Sequence, residues 1–261
     1  MRADDFGVLR GDGVFETMHV RGGKPWLLDE HLARMAGSAA RMELALPAPE
    51  VLAVLAGEAC AAWPGTDEGA LRLVCTRGPE GGGEPTVYAT VAPVSPTSRE
   101  QRRRGLAVAT ATLGYPADLR RTAPWLLGGV KSLSYAVNMA TLRWAVAGGY
   151  DDVLWTSVDG YALEAPTATL VWLVGDELRT VPAEQTGILP GTTAAWLLDH
   201  AGALGWRSAT RMVTPAELAD ADGVWFTSSV RGVAEVRSLD GVERPASSRT
   251  AQIRGVLGHP V

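Results

Sequence analysis

Residues 11–20 read Gly-Asp-Gly-Val-Phe-Glu-Thr-Met-His-Val, a glycine turn followed by alternation. Val14, Glu16, Met18 and Val20 fall on one face, and Phe15, Thr17 and His19 on the other, which is the period of a strand. Arg21-Gly22-Gly23-Lys24 follows. Paired glycines take positive φ at little cost, so the chain turns back there and Pro25 to Leu28 forms the return strand. The chain therefore opens on an antiparallel hairpin. Asp29 is suited to cap a helix running to about Met42, with Leu32, Met35, Ala36 and Ala39 as its buried stripe. By periodicity alone Arg34 lies off that stripe, as an exposed helix arginine. Pro49 starts a second helix, Glu50 to Ala62, with Leu52, Leu55 and Ala59 inward. Leu71 to Thr76, Thr86 to Val94 and Leu106 to Leu113 read as strands, the first two flanking the glycine-rich loop GPEGGGEP. The first half is thus α+β.

Gly114 to Pro124 has weak periodicity and two prolines, and reads as a linker. These signals divide the chain into a domain over 1–113, a linker over 114–127 and a second domain over 128–261. In the second, a helix is expected from Leu133 to Ala147, ended by Gly148-Gly149. Val153 to Thr156, Tyr161 to Leu163, Thr169 to Val174 and Leu178 to Val181 are strands. Glu164 stands at the end of the second of these. The loop ILPGTT, 188–193, leads into a helix over Ala194 to Ala203. The strand Arg207 to Val213, the short helix Pro215 to Ala221 and the strand Val224 to Thr227 close the pattern, with Ser228 and Ser229 at the end of the last strand.

Composition narrows the function. The net charge is −5, with no long basic run, which argues against nucleic acid as a partner. The cluster Arg99, Arg102, Arg103 and Arg104 sits in a Ser/Pro-rich stretch and reads as a solvated connection. The two cysteines make no disulfide framework, and neither cysteine nor histidine spacing suits a metal. No apolar run reaches membrane-spanning length and the first residues do not read as a signal peptide, so a cytoplasmic protein is expected.

The chain spends only two lysines, Lys24 and Lys131. Lys131 lies between a glycine-rich approach and an apolar run, GGVKSLSYAVNM. A desolvated lysine amine can attack a carbonyl and form a Schiff base, although a solvated lysine near a helix start fits the same pattern. Gly191-Thr192-Thr193 at a helix start and Ser228-Ser229 at a strand end both offer donors to an anion, or serve as an ordinary cap and a polar loop. A lysine, a carboxylate at Glu164 and a phosphate cradle are together what pyridoxal phosphate requires. No GxxxxGK[ST] or GxGxxG competes with that reading.

Six segments in order resemble the class IV aminotransferases, the fold-type IV pyridoxal-phosphate enzymes. They are GDGVFET at 11–17, DEHLARM at 29–35, GVKSLSY at 129–135, DGYALEAPTATL at 159–170, ILPGTT at 188–193 and FTSSVRGVAEV at 226–236. The resemblance implies an α/β fold of two domains, a smaller N-terminal α+β domain and a larger pseudo-barrel-like one, with the cofactor between them in a homodimer. It implies that Lys131 bonds the cofactor and shuttles protons, and that Glu164 pairs with the ring nitrogen. It also implies that Arg34, Thr192, Thr193 and Ser229 hold the phosphate, that Ser228 beside them binds the cofactor, and that Tyr135 touches the ring oxygen. Two departures stand out. Most of the strand that precedes GDG in such proteins is missing, and Thr169 stands where asparagine is usual.

For the reaction, the resemblance is greatest to 4-amino-4-deoxychorismate lyases, which release pyruvate and leave 4-aminobenzoate for folate or a related aromatic amine. An amino-acid or amine transaminase of the same fold is the alternative, and a catalytically idle cofactor-binding paralogue the third. The Arg-x-His carboxylate trap of D-amino-acid transaminases is missing, since its places hold Gly82 and Glu84. Arg231 is a candidate for a substrate carboxylate, or else a surface arginine.

Overall fold

The alternation of residues 11–20 becomes β1 (Gly13–Arg21), at the centre of a four-stranded antiparallel sheet. In this computed structural model, which describes residues 2–65 and 67–260, β2 (Lys24–Pro25) pairs with the end of β1. The return strand is thus two residues long rather than four. Leu27 adopts a left-handed conformation (φ 57°) and admits α1 (Leu28–Arg41). Asp29 is not the cap but lies in the first turn, where its charge complements the helix dipole. The face of α1 against β1 buries His31, Leu32, Met35, Ser38 and Ala39 and leaves Ala36 exposed. α2 (Pro49–Ala62) buries Leu52, Ala56 and Cys60, one position round from the expected row, with Leu55 and Ala59 half-buried. β3 (Gly69–Thr76) and β4 (Thr86–Pro93) complete the order β2-β1-β3-β4.

A distant segment joins this sheet. Phe15 N–H donates to the Lys131 carbonyl at 3.0 Å, and Leu133 N–H to the Gly13 carbonyl at 2.8 Å. The first unit therefore comprises Met1–Ser95 and Gly129–Ala136, and the second Pro96–Gly128 and Val137–Val261. The expected boundaries at 113 and 128 differ from this division because backbone pairing, not sequence adjacency, decides the units. Residues 133–135 are held beside β1, so the helix expected from Leu133 starts only at Ala136.

In the second unit, the arginine cluster read as a solvated connection is a helix, α3 (Pro96–Arg104), and Arg102 is buried. β5 (Leu106–Thr112), also expected in the first domain, pairs in parallel with β6 (Asp152–Thr156) and so belongs here. Between them runs α4 (Ala136–Ala147). There follow β7 (Thr169–Val174), β8 (Glu177–Thr180), α5 (Thr192–Asp199), β9 (Arg207–Thr210), β10 (Gly223–Ser228), β11 (Gly232–Leu239), β12 (Val242–Glu243) and α6 (Thr250–Leu257). The strands form one mixed sheet in the order β6-β5-β11-β10-β7-β8-β9, with β12 beside β11. Leu106, Leu154, Leu170, Trp172, Phe226 and Val236 build its core. α5 packs on β7, β8 and β10, which is why β7 is apolar almost without interruption.

Candidate active site

In the first unit the site is built on β1 and the segment beside it. Lys131 N–H donates to Ser38 Oγ at 3.1 Å, fixing its backbone to α1 as well as to β1. Its Nζ lies 4.4 Å from the centre of the Phe15 ring and donates to Tyr135 Oη at 3.4 Å. Phe15 and Tyr135 meet edge to face, 5.1 Å between centres. The amine is thus half-buried among two aromatic rings, one of which offers a hydroxyl. The guanidinium of Arg72, on the neighbouring strand, is 5.4 Å from the same Phe15 ring.

Beneath this lies a buried charge cluster. Glu16, an inward residue of β1, is fully buried. It accepts from Arg34 Nε at 2.7 Å, from Arg34 NH2 at 2.8 Å and from His31 Nδ1–H at 2.6 Å. Burial alone would raise the Glu16 carboxyl. The Arg34 charge and the hydrogen bonds from His31 and Arg34 outweigh it and hold the group at about 2. Burial also lowers His31, against the pull of the Glu16 carboxylate, whose Oε2 lies 2.6 Å from Nδ1. Arg34 is therefore no exposed helix arginine. A carboxylate at an inward strand position needs buried partners: Arg34 supplies the opposite charge and His31, one helical turn away, a hydrogen bond.

The second unit holds the acid and the hydroxyls. Glu164 Oε1 accepts from Arg120 NH1 at 3.1 Å and Oε2 from the Leu189 N–H at 3.1 Å. The Leu163 N–H bonds to the Trp155 carbonyl, which anchors the acid at the end of β6. Leu189 also begins the short stretch that leads into α5, so one loop joins the acid to the helix start. There Thr192 Oγ1 lies 3.5 Å from Ser229 Oγ, and Thr193 Oγ1 is buried without a hydrogen-bond partner. An anion at the helix start would satisfy that hydroxyl. Ser228 ends β10 and is half-buried. Thr169 Oγ1 abuts Gly191, close enough that a methyl there would come within 2.1 Å of it.

Arg231 is not the surface arginine of the second sequence expectation. It is buried rather than on the surface, and NH1 donates to Asp152 Oδ2 at 2.8 Å and to Gln101 Oε1 at 3.2 Å. Asp152 and Gln101 engage only NH1, and the equally buried Nε and NH2 have no hydrogen-bond partner among the described residues. Sequence reasoning missed Glu16, His31, Arg72 and Arg120 as site residues. Glu16 carried a usable signal, a charge on the apolar face of an alternating strand. Arg120 carried none, because a weakly periodic stretch gives no face on which to place it.

Comparison with known proteins identifies the family. The model of the family described as amino-transferase class IV matches residues 13–239. The chain is 41% identical over 253 residues to the bifunctional aminodeoxychorismate lyase / D-amino acid transaminase of Mycobacterium tuberculosis, covering 94% of this chain and 88% of that protein. The structure resembles a hypothetical aminotransferase from Mycobacterium tuberculosis in its PLP-bound form, with a TM-score of 0.94 and 40% identity, over 99% of this chain and 92% of that one. It also resembles a fold IV-transaminase from Curtobacterium pusillum, with a TM-score of 0.92 and 40% identity, over 98% and 87% of the two chains. The residues in hand suit the cofactor: an amine among aromatic rings, an anchored carboxylate, and an orphaned buried hydroxyl at a helix start. The chain belongs to the class IV aminotransferases, and it is a pyridoxal-phosphate-dependent enzyme of mixed α/β fold.

Proposed function

We propose that the enzyme is a 4-amino-4-deoxychorismate lyase that converts its small amino substrate to 4-aminobenzoate and pyruvate, with class IV transamination as the second reading. The observation that carries a common site is the setting of Lys131 Nζ, half-buried against Phe15 and 3.4 Å from Tyr135 Oη. The bifunctional name of the 41% identical relative supports both readings. Gly82 and Glu84 in place of the Arg-x-His trap weigh against D-amino acids as the main substrate.

When bound, pyridoxal phosphate supplies an electron sink for charge that develops on the substrate carbon bearing nitrogen. In this reading Lys131 would hold the cofactor through its Nζ, and the same amine would take the proton from that carbon. Tyr135 Oη, 3.4 Å from that amine, orients it and would reach the ring oxygen. Glu164, held by Arg120 and the Leu189 N–H, would pair with the ring nitrogen. Arg34, Thr192, Thr193, Ser228 and Ser229 bind the phosphate, with Glu16 fixing the guanidinium of Arg34. For the substrate carboxylate, Arg72 is the better candidate than Arg231. It is exposed and stands over the same ring as Lys131, whereas NH1 of Arg231 is taken by Asp152. In the lyase outcome the enolpyruvyl group leaves and the ring becomes aromatic, so little further protein machinery is needed.

The enzyme is also read as a cytoplasmic homodimer. Val137 and Trp144, two turns apart on one face of α4, are exposed, an apolar pair suited to a second copy. Two buried free cysteines, Cys60 and Cys75, suit a reducing compartment. No helix among the described residues is long and apolar enough to cross a membrane.

One assay separates the readings. Pyruvate and 4-aminobenzoate formed from aminodeoxychorismate without added keto acid mean lyase. Amino transfer that requires a keto acid means transaminase. A visible cofactor absorbance band that survives Lys131→Ala would sink both.

A further inference from the structure

Three successive carbonyls of the turn between β10 and β11 are capped by side chains from outside it. His259 Nε2–H donates to the Ser229 carbonyl at 2.8 Å. Arg102 NH2 donates to the Val230 carbonyl and Arg102 Nε to the Arg231 carbonyl, each at 2.9 Å. The third nitrogen of Arg102, NH1, donates to the Pro260 carbonyl, so one buried guanidinium ties the turn to the residues beside His259. The imidazole itself is buried against Gly232, where an added Cβ would come within 2.8 Å of the ring. Gly232 also has φ +72°, so the turn and the ring both require glycine there.

None of these groups belongs to the acid, the amine or the hydroxyls already described, yet they act on the same turn. A peptide unit is planar, and its C=O and the following N–H point in opposite directions. Pinning the carbonyls of Ser229, Val230 and Arg231 therefore also fixes the N–H groups that follow them. It holds the backbone from which Ser229 Oγ reaches toward Thr192 Oγ1. Donors held in advance bind an anion without first losing freedom.

We infer that His259 is a positioning residue for cofactor affinity: by holding the Ser229 carbonyl it orients the turn toward a phosphate monoester. This rests on the reading that Ser229 holds the cofactor phosphate. The packing of Gly232 against the imidazole makes His259 part of the turn rather than an accessory to it, and Arg102 makes the attachment two-sided.

The test compares two forms of the cofactor, pyridoxal 5′-phosphate and pyridoxal, which lacks the phosphate. Their binding to the full chain is measured by the visible band that depends on Lys131. His259→Phe keeps the ring volume and removes the donor, and His259→Gln restores a donor at a similar reach. The phenylalanine variant is expected to bind pyridoxal phosphate about tenfold more weakly, the loss of one hydrogen bond's worth of orientation. It is expected to leave pyridoxal unchanged, and the glutamine variant to recover most of the loss. Unchanged phosphate-form binding by the phenylalanine variant, or equal loss of both forms, would overturn the inference. Should that variant not fold, hydrogen exchange on the wild-type chain decides. Amides of 229–232 and 257–259 should gain protection together when pyridoxal phosphate is added to the cofactor-free protein. Protection of the turn alone would count against His259. Wild-type protein that binds no pyridoxal phosphate would remove the parent reading itself, a result distinct from all of these.

Discussion

Arg34 gives Nε and NH2 to the two oxygens of Glu16, at 2.7 and 2.8 Å, while Glu16 has no exposure to solvent. This two-point grip turns a flexible side chain on a helix into a fixed one. It also means that the charge of Arg34 is balanced inside the protein before any anion arrives.

The pair sets an acid limit on stability. The Glu16 carboxyl lies at about 2 in the folded chain against an ordinary 4.5. A lowered carboxyl contributes its stability above the unfolded value and loses it as pH falls toward the folded one. Between pH 5 and pH 2 the fold should therefore lose roughly 3 kcal/mol through this group alone. Denaturant titrations over that range should show the loss in the wild type. In Glu16→Gln the slope should be shallower, on a chain already weakened by several kcal/mol because Arg34 is left without its anion.

Arg120 should matter to the cofactor although it lies far from Glu164 in sequence. Its NH1 donates to Glu164 Oε1 at 3.1 Å, beside the Leu189 N–H on Oε2. Arg120→Gln should weaken pyridoxal phosphate by about tenfold, and Glu164→Ala should cut turnover by about a hundredfold or more. Cofactor titration by absorbance and steady-state rates check the two separately.

Arg72→Ala is expected to raise KM by about tenfold or more with little change in kcat, the mark of a lost ground-state contact to a carboxylate. The side chain is exposed, so the melting temperature should hold within a degree or two. An unchanged KM would return the carboxylate to another cation.

Gly191→Ala should destabilise the chain by about 1–3 kcal/mol, because its methyl would sit 2.1 Å from Thr169 Oγ1. Adding Thr169→Ala should return part of that loss, so the double variant is more stable than the sum of the two predicts. The same relationship accounts for what Thr169 does: it fills the space beside the helix start of α5.

Much of this protein was legible in its order of residues. Alternation from Gly11 to Val20 revealed β1, and Asp29, Pro49 and helical spacing marked two helices within a residue or two of their observed ends, although the buried row of the second lies one position round. Six motifs in sequence identified the family, and with it the cofactor. Each of these is a local property, written in periodicity or in residue type at short spacing. The tertiary structure decided what depends on distant segments. It placed Lys131 beside β1 rather than at the start of α4, because its backbone finds its hydrogen bonds there. It buried Arg102, whose neighbours suggest a solvated charge run, because three carbonyls far along the chain needed its donors. It joined Arg120 to Glu164 and Glu16 to Arg34 across gaps that no period spans. A charge in the interior is set by the partners that the fold brings to it, and those partners can be named only once the strands are in register.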